Sequence, residues 1–349
     1  MSGDQDPRPR GGDPRLEVSW RSAWVAGAVV LVLVAGLGIA ALVLGSPGGT
    51  ASTRNETTPS ALTAPSSTAP TARSSGRGHH ARLHLRDPLQ PVRIHQDPRC
   101  PIRPPRIVRV LQFNIHAGIS RYGGPGLAQI AAEIRAARPD LVSLNEVDNG
   151  MLRSGRTDEP SYLARATGLR AVYGPNLSGH DGGRFGNAIL SRFPIVSEQN
   201  VRLPRQARSE PRGLLHATVR IGHRAVAFYS VHLSQGHRRG AAQRVRQAAA
   251  VTRVIRGTAA PTIVAGDLNS RPGDLPVQIL RQYLLDAQEV GGTGRGDTVP
   301  EGAPVNRIDY VLYDNDFAAL PGSTQVLPSA SSDHRALVTE LVLRPKGQC

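Results

Sequence analysis

Nine side chains of a few chemical types stand where apolar runs of this sequence end or break. They are Asn114 in QFNIHAG, Glu146 in LNEVD, Asn187 in GNAILSR, His232 in SVHLS, Asp267 and Asn269 in AGDLNS, Asp309 in RIDYV, and Asp333 with His334 in SSDHRAL. Taken singly, each has an ordinary reading. A glutamate after a strand is a solvated end, a histidine in VHL is a hydrogen-bonded core residue, and the aspartate of GDLN caps its own turn. Taken as a set, they are the parts for metal-assisted phosphoester hydrolysis. Hard divalent cations need oxygen ligands, which Glu146 and Asp333 supply. A histidine that donates to phosphate is best held by a carboxylate on its other nitrogen, and Asp309 with His334 makes such a pair. His232, Asn114, Asn187 and Asn269 add donors for phosphoryl oxygens. Asp267 is suited to orient or deprotonate a water.

These residues must be delivered by a scaffold, and the hydrophobic pattern indicates one. Strands are expected at 107–114, 141–144, 186–192, 214–221, 224–231, 262–265, 307–313 and 335–343, with a hairpin turn at Gly222. Leu127–Arg138 repeats apolar residues at helical spacing until Pro139, and 239–256 reads as an Ala/Arg helix. Strands with interspersed helices make an α/β domain, with no internal linker to split it. Loops on such a scaffold are where binding and reacting groups sit.

The ordered set resembles the endonuclease/exonuclease/phosphatase superfamily of metal-dependent phosphohydrolases. GDLN followed by SDHRAL carries the resemblance most specifically. GNAILSR, RGLL at Arg212–Leu215 and RIDYV are similar to its framework segments. FNIHAG, NEVDNGMLRSGRTDE and YGPN resemble a bacterial branch that often carries membrane or secretion segments. The resemblance implies a four-layer α/β sandwich of two mixed sheets face to face, with helices outside. It implies that Glu146 is the principal metal ligand, with Asn114 near metal and phosphate and Asp333 as a second metal-side carboxylate. It assigns Asp267 and Asn269 to water and phosphoryl group, His232 to phosphate contact, and His334 to a role oriented by Asp309. Mg²⁺ is the implied cofactor, with Mn²⁺ as substitute. Two departures stand out: Asn145 precedes Glu146 where the family commonly has Gln, and His116 stands where abasic-site nucleases carry an acid. The second favours one metal and argues against abasic-site repair.

Ahead of this domain, assigned to 101–349, the sequence is of another kind. Trp24–Gly45 has no charged residue and is long enough to cross a bilayer as a helix. Trp20 and Trp24 sit at its edge, and Arg8, Arg10, Arg15 and Arg21 precede it, while Arg54 alone follows closely. The expected order is a cytoplasmic segment at 1–23, a transmembrane anchor at 24–45, a flexible Ser/Thr/Pro- and Arg-rich stalk at 46–100, and the catalytic domain outside the cell membrane. Cleavage of the anchor would make the domain secreted instead.

The 349 residues carry a formal net charge of +15, almost all of it arginine. Ten basic and six acidic side chains fall in 1–94, leaving +11 on 95–349. Such a domain favours anionic partners: nucleic acid, a lipid headgroup or a small phosphodiester. Arg202, Arg205, Arg208 and Arg212 form one cluster, and Arg238, Arg239, Arg244 and Arg246 another. They suit a duplex backbone or are solvated faces. The domain has no tryptophan, which disfavours single-strand binding by base stacking. The readings in order are a phosphodiesterase, an extracellular nuclease, a phospholipase or sphingomyelinase-like enzyme, and a non-catalytic anion-binding module on the same fold. No obligate protein partner is signalled. In the resembled fold the first and last strands are neighbours, which brings Cys100 and Cys349 close enough for a disulfide in an oxidising compartment.

Overall fold

The structure is a computed structural model and describes residues 106–236 and 238–345. The expected anchor, the stalk, Cys100 and Cys349 lie outside these residues. Among the described residues no helix is long and apolar enough to cross a membrane.

Thirteen strands are described, in two mixed sheets. The first sheet has the order β11-β13-β1-β2-β4-β3, with β12 also paired to β13. Its members are β1 (Arg106–Asn114), β2 (Leu141–Asn149), β3 (Arg170–Ser178), β4 (Arg184–Ser191), β11 (Phe317–Ala319), β12 (Gln325–Leu327) and β13 (Ala336–Leu343). The second has the order β5-β6-β7-β8-β10-β9. It comprises β5 (Ile195–Arg202), β6 (Gly213–Ile221), β7 (Arg224–His232), β8 (Thr262–Asp267), β9 (Leu285–Asp286) and β10 (Asp309–Tyr313). Each sheet holds one parallel pair, β1 with β2 and β7 with β8; the other pairings are antiparallel.

Each parallel pair needs a crossover, and helices supply it. α1 (Leu127–Ala137) joins β1 to β2, burying Ile130, Ala131, Ile134 and Ala137 on one face. Its chain turns left-handed at Arg138 (φ 49°), just before Pro139. α3 (Arg238–Arg256) joins β7 to β8. Between these, α2 (Glu159–Thr167) is capped by Asp158, which accepts from the Ser161 N–H. α4 (Leu275–Arg281) and α5 (Ala287–Gly291) follow β8 and β9.

Three apolar clusters define the layers. Ile130, Ile134 and Leu163 pack on Leu111, Phe113, Val142 and Leu144 of the first sheet. Ala248, Val251, Val277 and Leu280 pack on Tyr229, Val231, Val264 and Leu312 of the second. Between the sheets, Val110, Leu141 and Ile189 meet Ala217, Phe228, Ile263 and Val311. The order is helices, sheet, sheet, helices.

Alternation along the strands now places the site. Side chains two apart share a face. The inward line of β1 runs Val108, Val110, Gln112, Asn114, and that of β2 runs Leu141, Ser143, Asn145. In β7 the line is Phe228, Ser230, His232, in β8 Ile263, Ala265, Asp267, and in β10, read backwards, Tyr313, Val311, Asp309. Each line begins apolar and ends polar. The layer between the sheets therefore changes from hydrocarbon to hydrogen-bonding groups along its length, and the chemistry gathers at the polar end.

Two of the strands not expected from sequence, β3 and β5, are sheet edges. β3 contains Gly174 and Pro175, tolerable where one side of the ladder is open. β5 is largely exposed, so its sequence IVSEQNVR shows no apolar alternation. β2 is longer than the expected 141–144, because it continues through a bulge.

Gly266 lies on β8 where a Cβ would fall inside contact distance of the Val231 carbonyl oxygen on β7. Gly266→Ala should cost about 3 kcal/mol, as overpacking in a tight core does. Urea denaturation checks this; an unchanged midpoint would show that β7 and β8 separate freely.

Candidate active site

The carboxyl ends of both parallel pairs lie together. Asn114 is in register with Asn145, His232 with Asp267, and Asp309 with Asp267 across the antiparallel pair. Six of the nine side chains singled out in the sequence are buried here: Asn114, Asn187, His232, Asp267, Asp309 and His334. Glu146, Asn269 and Asp333 are half-buried.

Asn145 ties this end together, and its own exposure is zero. Its Oδ1 accepts from Gln112 Nε2 at 2.7 Å and from the Asp267 N–H at 2.9 Å. Its Nδ2 donates to Asn187 Oδ1 and to the Val231 carbonyl, both at 3.1 Å. All four bonding positions of one amide are filled, and two of them reach the opposite sheet. Asn187 in turn donates to the Gly213 carbonyl at 3.1 Å. Both ends of the Asn187 amide therefore bond protein groups, Asn145 among them.

A bulge aims the next residue. Leu144 pairs with Ala188 and Val147 with Gly186, so Asn145 and Glu146 together oppose Asn187. Glu146 takes a left-handed conformation, φ 56°. Such a conformation costs a non-glycine residue about 1–3 kcal/mol and collects at functional sites. His116 and Asn269 share it, at φ 48° and 46°. The bulge releases Glu146 from the strand's alternation and leaves it half-exposed beside Asn114.

Asn114 Nδ2 donates to Glu146 Oε1 and to Asp267 Oδ2, each at 3.1 Å. Its Oδ1 accepts from the His116 N–H at 3.2 Å, which fixes the orientation of the amide. Asn114 thus turns nitrogen, not oxygen, toward the carboxylates. A metal contact from Asn114 would use the remaining lone pair of its Oδ1.

The two histidines are in opposite electrostatic states. His334 Nδ1 lies 2.9 Å from Asp309 Oδ2. Burial works against its positive charge, but the Asp309 carboxylate and its hydrogen bond outweigh that. With help from Asp267 and Asp333, they raise the imidazole to about 10. Asp309 is itself held by Thr298 Oγ1 at 2.6 Å and Gln112 Nε2 at 3.2 Å. His232 is driven well below its ordinary value by burial, and further by the charges of Arg212 and His334. His334 is a cationic donor and His232 a neutral one. Burial and the Asp309 charge push Asp267 up to about 7, while His334, the Asn269 N–H and Asn114 pull it back.

Gln112, Asn145, Arg212 and Thr298 were not among the expected site residues. Gln112 lies two residues before Asn114 on the same face, so strand phase was a usable signal for it. Thr298 comes from a loop and gives none. Arg212 was read as part of a surface cluster, but it is 4% exposed and lies 3.2 Å from His232 Nδ1. Arg244 is also buried, bonded to Ser270 Oγ and to the Ser234 and Gly236 carbonyls. The two arginine clusters are therefore not continuous anionic-ligand faces.

With this geometry in place, the family can be identified. A model of the endonuclease/exonuclease/phosphatase family matches residues 111–334, a span that includes all nine side chains. The chain belongs to this family. Members of the endonuclease/exonuclease/phosphatase family are hydrolytic phosphoesterases that typically use divalent metal ions. The Escherichia coli protein YbhP is 28% identical over 252 residues, which cover 67% of this chain and 96% of that protein. Protein cwh43 of Schizosaccharomyces pombe is 29% identical over 168 residues, 48% of this chain; the chain spans only 17% of that protein's length. A family member from Beutenbergia cavernae superposes with a TM-score of 0.56 at 25% identity, covering 68% of this chain and 72% of its own.

The site fits a divalent cation. Among the described residues, Asp267, Asp309 and His334 bring ligand atoms within 4.8 Å of one another. Two of these three are bonded to each other, and the imidazole holds its proton tightly, so a cation there would have to displace it. The carboxylates of Glu146 and Asp267 share only the Asn114 amide between them. Negative charge is in excess there, and a cation on Glu146 would neutralise it.

Asn145→Leu would leave Asn187 Oδ1 unpaired in the interior and remove the two amide bonds that reach the opposite sheet. It should destabilise the protein by ~3 kcal/mol or more in urea unfolding. A near-neutral result would show that the two sheets do not depend on this amide.

The His334 proton is held more tightly in the folded chain than in the unfolded one. Its contribution to stability is complete below the ordinary histidine value and is lost as pH rises toward about 10. Asp309→Asn should flatten that alkaline decline. Urea midpoints across the alkaline range check it, and an unaltered slope would place the decline elsewhere.

Proposed function

We propose that this chain is a Mg²⁺- or Mn²⁺-dependent phosphodiester hydrolase. The carrying observation is the Asp309–His334 pair beside Asp267, His232 and Asn269, two donors of different charge around one carboxylate. Glu146 would hold the cation, with Asp333 as the second metal-side carboxylate. When bound, the cation offsets charge that builds on the phosphoryl oxygens.

The chain's own groups do the rest. Asp267, its basicity raised toward neutrality, takes a proton from the attacking water as the water oxygen bonds to phosphorus. His334 donates from Nε2 to a phosphoryl oxygen, and its positive charge stabilises the transition state. Asn269 and His232 donate as neutral groups. The bond from phosphorus to the leaving oxygen then breaks. Asp309 keeps the His334 proton in place, and Asn145 keeps Asp267 in place through its backbone N–H.

The apolar 24–45 segment with its preceding arginines supports placing the domain outside the cell membrane. A nuclease reading is weakened by the inward turn of Arg212 and Arg244, which leaves fewer cations to follow a nucleic-acid backbone. A lipid phosphodiester or a small soluble one fits the same chemistry.

The full-length chain in detergent should hydrolyse bis(p-nitrophenyl) phosphate with Mg²⁺ or Mn²⁺ and stop with EDTA. His334→Ala should lower kcat by about 10²-fold or more. Turnover that survives EDTA, or an equally active variant, would overturn the reading.

A further inference from the structure

Arg212 enters the site from behind, immediately before β6. Its Nη1 donates to Glu210 Oε1 at 2.6 Å and faces His232 Nδ1 at 3.2 Å. A guanidinium can only donate. His232 Nδ1 must therefore accept and carries no hydrogen. The ring is buried beside a cation, so it does not hold two protons. Its single hydrogen is on Nε2.

On that side Nε2 meets Asn269 Nδ2 at 3.0 Å and Asp267 Oδ2 at 3.5 Å. Asn269 cannot turn its oxygen inward, because its Nδ2 donates to the Leu233 carbonyl at 3.0 Å. Two N–H groups thus stand side by side, and neither bonds the other. The opposite tautomer would satisfy Asn269, but it would press an imidazole N–H against the buried guanidinium. A charge-assisted bond outweighs a neutral one, so Arg212 prevails. A further sign is Arg212 Nε, which is buried and has no partner of its own. The side chain is kept here although its hydrogen bonding is incomplete.

We infer that Arg212 is a positioning residue that locks the tautomer of His232, so that His232 Nε2–H and Asn269 Nδ2–H converge as a paired clamp for one phosphoryl oxygen. This rests on the proposed hydrolase reading only for what the clamp binds; the tautomer itself does not depend on turnover. The two converging N–H groups gain a shared acceptor when an anionic oxygen arrives. Preorganised donors of this kind act without rearrangement during the reaction.

Full-length protein in detergent, labelled with ¹⁵N-histidine, reports which ring nitrogen carries hydrogen through two-bond ¹H–¹⁵N correlations. The wild-type His232 should show hydrogen on Nε2 and a bare Nδ1. Inorganic phosphate should shift the Nε2–H resonance. Arg212→Met should move the hydrogen to Nδ1 and lower kcat on bis(p-nitrophenyl) phosphate about 10²–10³-fold, with KM little changed. Arg212→Lys should restore the wild-type tautomer and part of kcat, which a purely structural role would not produce. A wild-type ring with hydrogen on Nδ1 overturns the inference, whether or not Arg212→Met folds. So does Arg212→Met that folds and keeps the Nε2 tautomer. An Nε2 tautomer and a phosphate shift in a protein with no turnover would uphold the clamp and sink the hydrolase reading instead.

Discussion

One amide, that of Asn145, is the joint on which the site depends. Two sheets packed by apolar side chains are free to slide by small amounts, because hydrophobic contact has no direction. A buried amide with four bonds has direction in all of them. Asn145 reaches Gln112 and Asn187 within its own sheet, and Val231 and Asp267 in the other. Those bonds fix the distance between β2 and the β7–β8 pair at the point where the polar side chains of both converge. Ser143 and Ser230 continue the link one layer deeper, with their hydroxyls 2.8 Å apart. The polar end of the sandwich is thereby made as specific as its apolar end is dense.

Above that joint, the site separates two histidines by what stands behind each. The carboxylate behind His334 holds its charge against burial; burial drives His232 the other way, and the guanidinium behind it adds to that. Environments that drive like groups apart divide acid and base roles within a small volume. Asp267 lies between them and inherits the result. Its charge is disfavoured by burial and by Asp309 and favoured by His334. The arrangement keeps a base near neutrality within reach of two donors, without any exposed charge having to be tuned.

Part of the backbone strain falls at the same place. Glu146, His116 and Asn269 adopt left-handed conformations, and each is hydrogen-bonded to another residue of the polar cluster. The packed sheets on either side hold these residues there. For Glu146 the reward is orientation, since the bulge takes its carboxylate out of the strand's strict alternation.

The sequence by itself determined the inventory and the scaffold class. Asp267, Asn269, Asp309 and His334 lie in short motifs whose order and residue types are tied to one chemistry, and apolar runs mark the strands that end at them. Alternation also carried more than was read from it, since Gln112 lies in phase with Asn114 and Ser230 with His232. What only the tertiary structure decided is which atoms face each other. Asn114 and Asn187 have the composition of ligand-binding amides, but backbone and side-chain partners from distant strands turn both toward the protein. Arg212 and Arg244 look like members of surface clusters, but the loop before β6 turns the first inward and the inner face of α3 carries the second. A sequence records the type of a polar group; its role follows from its partners, and here those partners come from neighbouring strands, from loops and from the opposite sheet.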